Sequence, residues 1–164
     1  MIDSKKNKKV AIIMGSQSDY PIMKICEQIL KQLKIKFETK IISAHRTPDR
    51  MYLFAKSAEK KNFAAIIAGA GGSAHLPGMI ASMTVLPVIG VPIETKKLKG
   101  LDSLLSIVQM PKGIPVGTVA IGGNGSFNAG LLAASIIGLT DKKIKRNLER
   151  WRKTQSNSIK KKPK

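Results

Sequence analysis

Cysteine, histidine and aromatic residues are scarce in this 164-residue chain, which has one cysteine, two histidines, one tryptophan, two tyrosines and four phenylalanines. Each shortage excludes something. The single thiol, Cys26, forms no intramolecular disulfide, and its place on the apolar face of an expected helix reads as a buried, inert small hydrophobe. Two histidines and one scattered cysteine make no zinc site. With aromatics at 4%, the core must be built from aliphatic side chains. Neither G-x-x-x-x-G-K-[ST] nor G-x-S-x-G occurs, which sets aside nucleoside triphosphate cradles and serine hydrolases. Residues 76–93 form the most apolar window, but Pro77, Pro87 and Pro92 break it as a membrane span. No signal-peptide pattern is visible at the N-terminus. A cytoplasmic protein off the membrane is the expectation.

Acidic residues are also few, 10 against 29 basic ones, for a formal charge of +19. The excess sits at the ends. Residues 1–9 carry +3 and residues 142–164 carry +10, which leaves +6 for the body between them. A basic tail can bind nucleic acid or anionic lipid. Against that, lysine outnumbers arginine 24 to 5, and no ring interleaves Lys160, Lys161, Lys162 and Lys164. Nucleic-acid interfaces favour arginine and stacking aromatics. A solvated tail is the expected reading, with nucleic acid a poor candidate partner.

Apolar runs alternate with helical periodicity nearly throughout. Strands are expected at 10–14, 37–42, 64–68, 85–90 and 117–121. Ile22, Ile25, Cys26, Ile29, Leu30 and Leu33 lie on one face of a helix. Met51, Phe54, Ala55 and Ala58 line a second, with Thr47 or Asp49 as N-cap around Pro48. Further helices are expected at 76–83, 101–109 and 128–139, and Asp141 caps a last one through Trp151. The small residues of the 129–138 helix suit close packing, against another subunit or against the chain's own sheet. Alternating strands and helices imply a parallel sheet covered on both faces. The fold class is therefore α/β, a single-domain three-layer sandwich, flavodoxin-like or Rossmann-like. A basic extension (1–8), a catalytic domain (9–153) and a disordered basic tail (154–164) are the expected divisions.

Three strand ends carry polar clusters. Gly15-Ser16-Gln17-Ser18-Asp19 links a strand to a helix, where N–H groups and hydroxyls suit a phosphate and Asp19 suits ribose hydroxyls. A simple capped turn explains the same residues equally well. Ser43-Ala44-His45-Arg46 joins a side chain able to exchange protons near neutral pH to a planar fork for a phosphate or carboxylate. Gly69-Ala70-Gly71-Gly72-Ser73-Ala74, followed by His75 and Leu76, partly matches the dinucleotide fingerprint and so raises an NAD-dependent enzyme as a rival. Its place in the third strand–helix unit, with no room for a substrate domain, counts against that. Gly122-Gly123-Asn124-Gly125 adds another expected loop. Ligands of open α/β sheets bind outside the carboxyl ends of the strands, so the clusters point to one composite site.

M-G-S-x-S-D at 14–19, S-A-H-R-T-P-D at 43–49 and A-G-A-G-G-x-A-H-L-P-G-M at 68–79 resemble the 5-(carboxyamino)imidazole ribonucleotide mutases of purine biosynthesis. The likeness continues through Gly90-Val91-Pro92, Asp102-Ser103-Leu104 and the 106–118 segment, and covers residues 9–153. It implies a flavodoxin-like homo-octamer and a cofactor-free, metal-free reaction that moves a carboxylate from the exocyclic nitrogen to a ring carbon. By that resemblance His45 is the general acid/base. Ser16 and Asp19 hold the ribose phosphate end, and Arg46 clamps the phosphate with Ser18 and Ser43. The Ala70, Gly71 and Gly72 backbone holds carbon dioxide, and His75 and Leu76 wall the ring. Segments 112–115 or 122–126 are the candidate lids. A direct carboxylase of aminoimidazole ribonucleotide is the near alternative, and a nucleotide- or nucleic-acid-binding α/β module the distant one.

Overall fold

The computed structural model describes residues 8–163. The first apolar run forms β1 (Lys9–Met14), whose last five residues are completely buried. Then follow α1 (Tyr20–Gln32), β2 (Phe37–Ile41), α2 (Pro48–Ser57), β3 (Phe63–Gly71) and α3 (Leu76–Ala81). The chain finishes with β4 (Val88–Ile93), α4 (Leu101–Val108), β5 (Gly117–Thr118), α5 (Gly122–Gly138) and α6 (Lys142–Ser158). The sheet is parallel throughout, in the order β2-β1-β3-β4-β5. That is the flavodoxin-like order, with its switch point between β1 and β3.

Strand pleating divides the apolar residues between two cores. Val10, Ile12 and Met14 face α1, α5 and α6, meeting Met23, Ile29, Leu30, Ala133 and Ile144. Ala11 and Ile13 face the opposite layer, with Met51, Phe54, Leu76, Ile80 and Ile107 from α2, α3 and α4. Each large aliphatic side chain removed from water in this way contributes roughly 1.5–3 kcal/mol. A strand covered on both faces has no polar side to present, which is why the β1 and β3 sequences run continuously apolar. Cys26 lies fully buried in the first core, and burial pushes its thiol pKa up, as expected of an inert cysteine. Ala129, Gly130, Ala133 and Ala134 are likewise buried within the chain. At Gly130 an added Cβ would lie 2.4 Å from Ile29 Cγ2, so the small face of α5 packs on α1.

Several element limits differ from the sequence reading. β3 runs on to Gly71, so part of the glycine cluster is strand, and β4 lies at Val88–Ile93 while Val85 stands exposed. β5 is only Gly117–Thr118, and the Val119 N–H bond to the Gly90 carbonyl at 3.1 Å is the last rung of its pairing with β4. Thr47 precedes α2, but its hydroxyl donates to the Ser43 carbonyl and does not cap the helix. Asp141 caps α6 through Lys143 and Ile144 N–H. That helix continues past Trp151 to Ser158, into the stretch read as tail. Of the basic extension, residues 1–7 lie outside the described residues.

The largest correction concerns Gly122-Gly123-Asn124-Gly125, which is not a loop or a lid but the first turn of α5. Gly122 sits at φ +73, where glycine starts the turn without strain. A Cβ on Gly125 would stand 1.6 Å from the Ala120 carbonyl oxygen. Backbone cannot yield to that degree. Gly125→Ala should therefore lower stability by about 3 kcal/mol, read as a shift in the denaturant midpoint. An unchanged midpoint would contradict the packing described.

Candidate active site

The carboxyl ends of β1, β2, β3 and β4 open into a cleft of about 490 Å³. After β1 the chain turns at Gly15, and Ser16 caps a short 3-10 turn, Gln17–Asp19. The cap is reciprocal. Ser16 Oγ accepts from Ser18 N–H at 3.1 Å, and the Asp19 carboxylate accepts from Ser16 N–H at 3.1 Å. The hydroxyls of Ser16 and Ser18 meet at 2.6 Å. This cap leads directly into α1, so hydroxyls and the positive end of a helix face the cleft together.

Beyond β2, Ser43 organises a tight turn. Its N–H donates to Thr47 Oγ1 at 2.9 Å, and its hydroxyl accepts from the Arg46 backbone N–H at 3.2 Å. Arg46 Nε is 3.3 Å from the same hydroxyl, and Nη2 donates to the Gly15 carbonyl at 2.9 Å. The guanidinium thus bridges the ends of β1 and β2 and is held beside the Ser16–Asp19 turn. The remaining N–H groups of its fork are available for an anion.

The turn also projects His45 across the cleft. His45 Nε2 lies 2.8 Å from Nδ1 of His75, which immediately precedes α3, and the rings meet edge to face at 87°. The chain's two histidines, 30 residues apart in sequence, therefore form one hydrogen-bonded pair. One ring donates and the other accepts, so the protonation of each ring is coupled to that of its partner. Such a pair can pass a proton to a bound molecule and take one back.

All eleven residues singled out from the sequence line this one cleft: Ser16, Ser18, Asp19, Ser43, His45, Arg46, Ala70, Gly71, Gly72, His75 and Leu76. Ala44 and Ser73, from the same two sequence clusters, line it as well, as do Ile93, Glu94 and Thr95, which sequence reasoning missed. These three follow from β4 ending at Ile93, three residues later than its apolar run suggested. Had Pro92 been read as tolerated within the strand, Glu94 and Thr95 would have fallen at its carboxyl end. A larger groove of about 760 Å³, lined by Lys40, Arg50, Phe54 and Lys61 among others, has no histidine or carboxylate in its lining.

A model of the family described as AIR carboxylase matches residues 9–158. The chain belongs to the AIR carboxylase family. Among its curated relatives, the N5-carboxyaminoimidazole ribonucleotide mutase of Brucella melitensis is 58% identical over 154 residues, covering 94% of this chain and 95% of the relative. The proteins of the same name from Pyrococcus horikoshii and Escherichia coli K12 are 56% and 52% identical, covering 100% and 92% of this chain and 93% and 89% of theirs. The crystal structure of Treponema denticola PurE superposes with a TM-score of 0.84 at 29% identity, covering 93% of this chain and 94% of that one.

In this member of the AIR carboxylase family, one site carboxylate is held in tension. Burial raises the Asp19 pKa, against the opposing pull of the Ser16 backbone, the Ser18 hydroxyl, the Gly15 backbone and the Arg46 charge. A carboxyl group whose folded pKa is raised adds stability at low pH and loses it as pH rises through that folded value. At neutral pH the ionised Asp19 therefore costs stability. Asp19→Asn should melt at the same or a higher temperature than the wild type at pH 7, with the gap closing as the pH is lowered into the carboxylate range. A variant that melts lower at pH 7, with no recovery in acid, would contradict this assignment.

Proposed function

We propose that this chain is an isomerase that converts 5-(carboxyamino)imidazole ribonucleotide to 5-amino-4-imidazolecarboxylate ribonucleotide in purine biosynthesis. The names of its relatives support the reaction. The observation that carries the site assignment is the 2.8 Å His45–His75 contact, set in the same cleft as the Arg46 bridge.

In this reading Arg46, Ser16, Ser18 and Ser43 hold the phosphate, and Asp19 accepts hydrogen bonds from the ribose. His75 and the buried Leu76 wall the imidazole. The general acid/base is His45. It first gives a proton to the exocyclic nitrogen as the N–CO₂ bond breaks; the bonding pair stays on nitrogen and carbon dioxide is released. The ring carbon then attacks carbon dioxide with its own electron pair, forming the C–C bond. His45 finally removes that carbon's proton, which restores the aromatic ring. The proton leaves and returns to one imidazole, so no net acid, base or cofactor is consumed. Carbon dioxide stays near the Ala70–Gly72 backbone between the two steps, and residues 112–115, exposed or half-exposed between α4 and β5, are the remaining lid candidate.

The same reading takes the protein as a cytoplasmic homo-octamer. Among the described residues no helix is long and apolar enough to cross a membrane. Leu101, Leu105 and Val108 form a half-exposed apolar stripe along α4, beside the cleft, which supports assembly there. Nucleic acid is not the partner proposed. The one tryptophan, Trp151 on the basic α6, packs on Phe127 at 5.7 Å and is not presented for stacking.

The reaction is tested with purified protein and 5-(carboxyamino)imidazole ribonucleotide, without ATP or added bicarbonate. Wild type should form the ring-carboxylated product, and His45→Asn should lose roughly 10²- to 10⁴-fold in kcat. Equal turnover by both would remove His45 from its role. Turnover only from aminoimidazole ribonucleotide plus bicarbonate would move the chain to direct carboxylation.

A further inference from the structure

The pairing of β3 with β4 changes character at the edge of the cleft. Ile66 N–H donates to the Pro87 carbonyl at 2.9 Å, and the register continues through Ala68↔Gly90 and Ala70↔Pro92. In a parallel ladder the donor recurs at every second residue. Two steps past Ala68, Gly72 N–H therefore falls opposite the Ile93 carbonyl. A side chain stands between them instead. The hydroxyl of Ser103, near the start of α4, accepts from Gly72 N–H at 2.9 Å and donates to the Ile93 carbonyl at 2.6 Å. Ser103 is completely buried. One turn further on, Ser106 Oγ lies 3.2 Å from the Gly72 carbonyl while also donating to the Asp102 carbonyl at 2.8 Å.

We propose that Ser103 is a positioning residue for the reaction, its hydroxyl standing in for the last rung of the β3–β4 ladder and holding the two strand ends apart where the cleft opens. The proposal rests on the function assigned above. A serine hydroxyl is suited to this because one atom both accepts and donates, so two buried backbone groups are satisfied while the strands stay splayed. The bridge also sets a peptide plane. With Gly72 N–H aimed at Ser103, the carbonyl of the same trans peptide, that of Gly71, must point the opposite way. Gly71 and Gly72 form one wall of the cleft and Ile93, Glu94 and Thr95 another. Gly72 has φ +68, so the turn after the bridge uses a conformation that glycine adopts freely. Without the hydroxyl, the strand ends either close into a direct rung and narrow the cleft or stay apart with both groups unpaired. Both outcomes displace the glycine wall.

The test compares wild type, Ser103→Ala and Ile107→Val, the last a core trim on the same helix that leaves the bridge intact. Steady-state kinetics with 5-(carboxyamino)imidazole ribonucleotide are run well below every melting temperature, and amide hydrogen exchange is followed at Gly72. The expected result is a loss of about 10- to 100-fold in kcat/KM for Ser103→Ala, near-wild-type values for Ile107→Val, and Gly72 exchange at least tenfold faster in Ser103→Ala alone. Kinetic losses equal in the two variants would reduce Ser103 to a structural role and overturn the proposal. Unchanged Gly72 exchange would overturn it too. If Ser103→Ala does not fold, wild-type exchange decides: Gly72 must be protected like the ladder residue Ala70. A wild type that turns over nothing would count against the assigned function, while the exchange data would still judge the bridge.

Discussion

The site depends on where the chain leaves β1. That strand pairs with β2 on one side and β3 on the other, buried on both faces. The α1 crossover covers one face of the sheet on the way to β2, and the α2 crossover covers the other on the way to β3. Consecutive connections that depart to opposite faces cannot also fill the space above the strand ends. A crevice is left at the carboxyl edge, and the residues following β1, β2 and β3 all face it. The same burial that stabilises the sheet therefore determines which side chains meet.

Within that crevice, polar groups hold one another before any ligand arrives. Arg46 bridges two strand ends, Ser43 organises the turn that carries His45, and Ser16 and Asp19 cap each other. Groups fixed in this way need little reorganisation when a charged substrate binds. There is a cost. Asp19 sits where burial disfavours its charge, and the two histidines use one nitrogen each on one another. Stability is given up at the carboxyl edge and recovered in the two aliphatic cores.

The core and the cleft were legible in the sequence for different reasons. Buried parallel strands show as unbroken apolar runs, so residues 10–14 and 64–68 stood out, and helical spacing marked Ile22 to Leu33. The cleft was legible because small and titratable residues follow those runs directly. What failed was local geometry. The glycines at 122–125 read as a loop because glycine favours turns, yet close approach to the Ala120 carbonyl is what requires Gly125. Pro87 and Pro92 disguised the limits of β4 and hid Glu94 and Thr95. The Ser103 bridge was invisible, since a buried hydroxyl that replaces a ladder rung leaves no periodic trace in a sequence.

On the proposed assignment, one crevice between the Arg46 bridge and the histidine pair takes the whole ribonucleotide. A crystal structure with 5-amino-4-imidazolecarboxylate ribonucleotide bound would show whether it does. The phosphate is expected within hydrogen-bond reach of Arg46 and the Ser16 and Ser18 hydroxyls, the ring against Leu76, and the His45 imidazole facing the carboxylated carbon. A phosphate seated in the groove of Lys40, Arg50 and Lys61, or a ring turned away from His45, would contradict it.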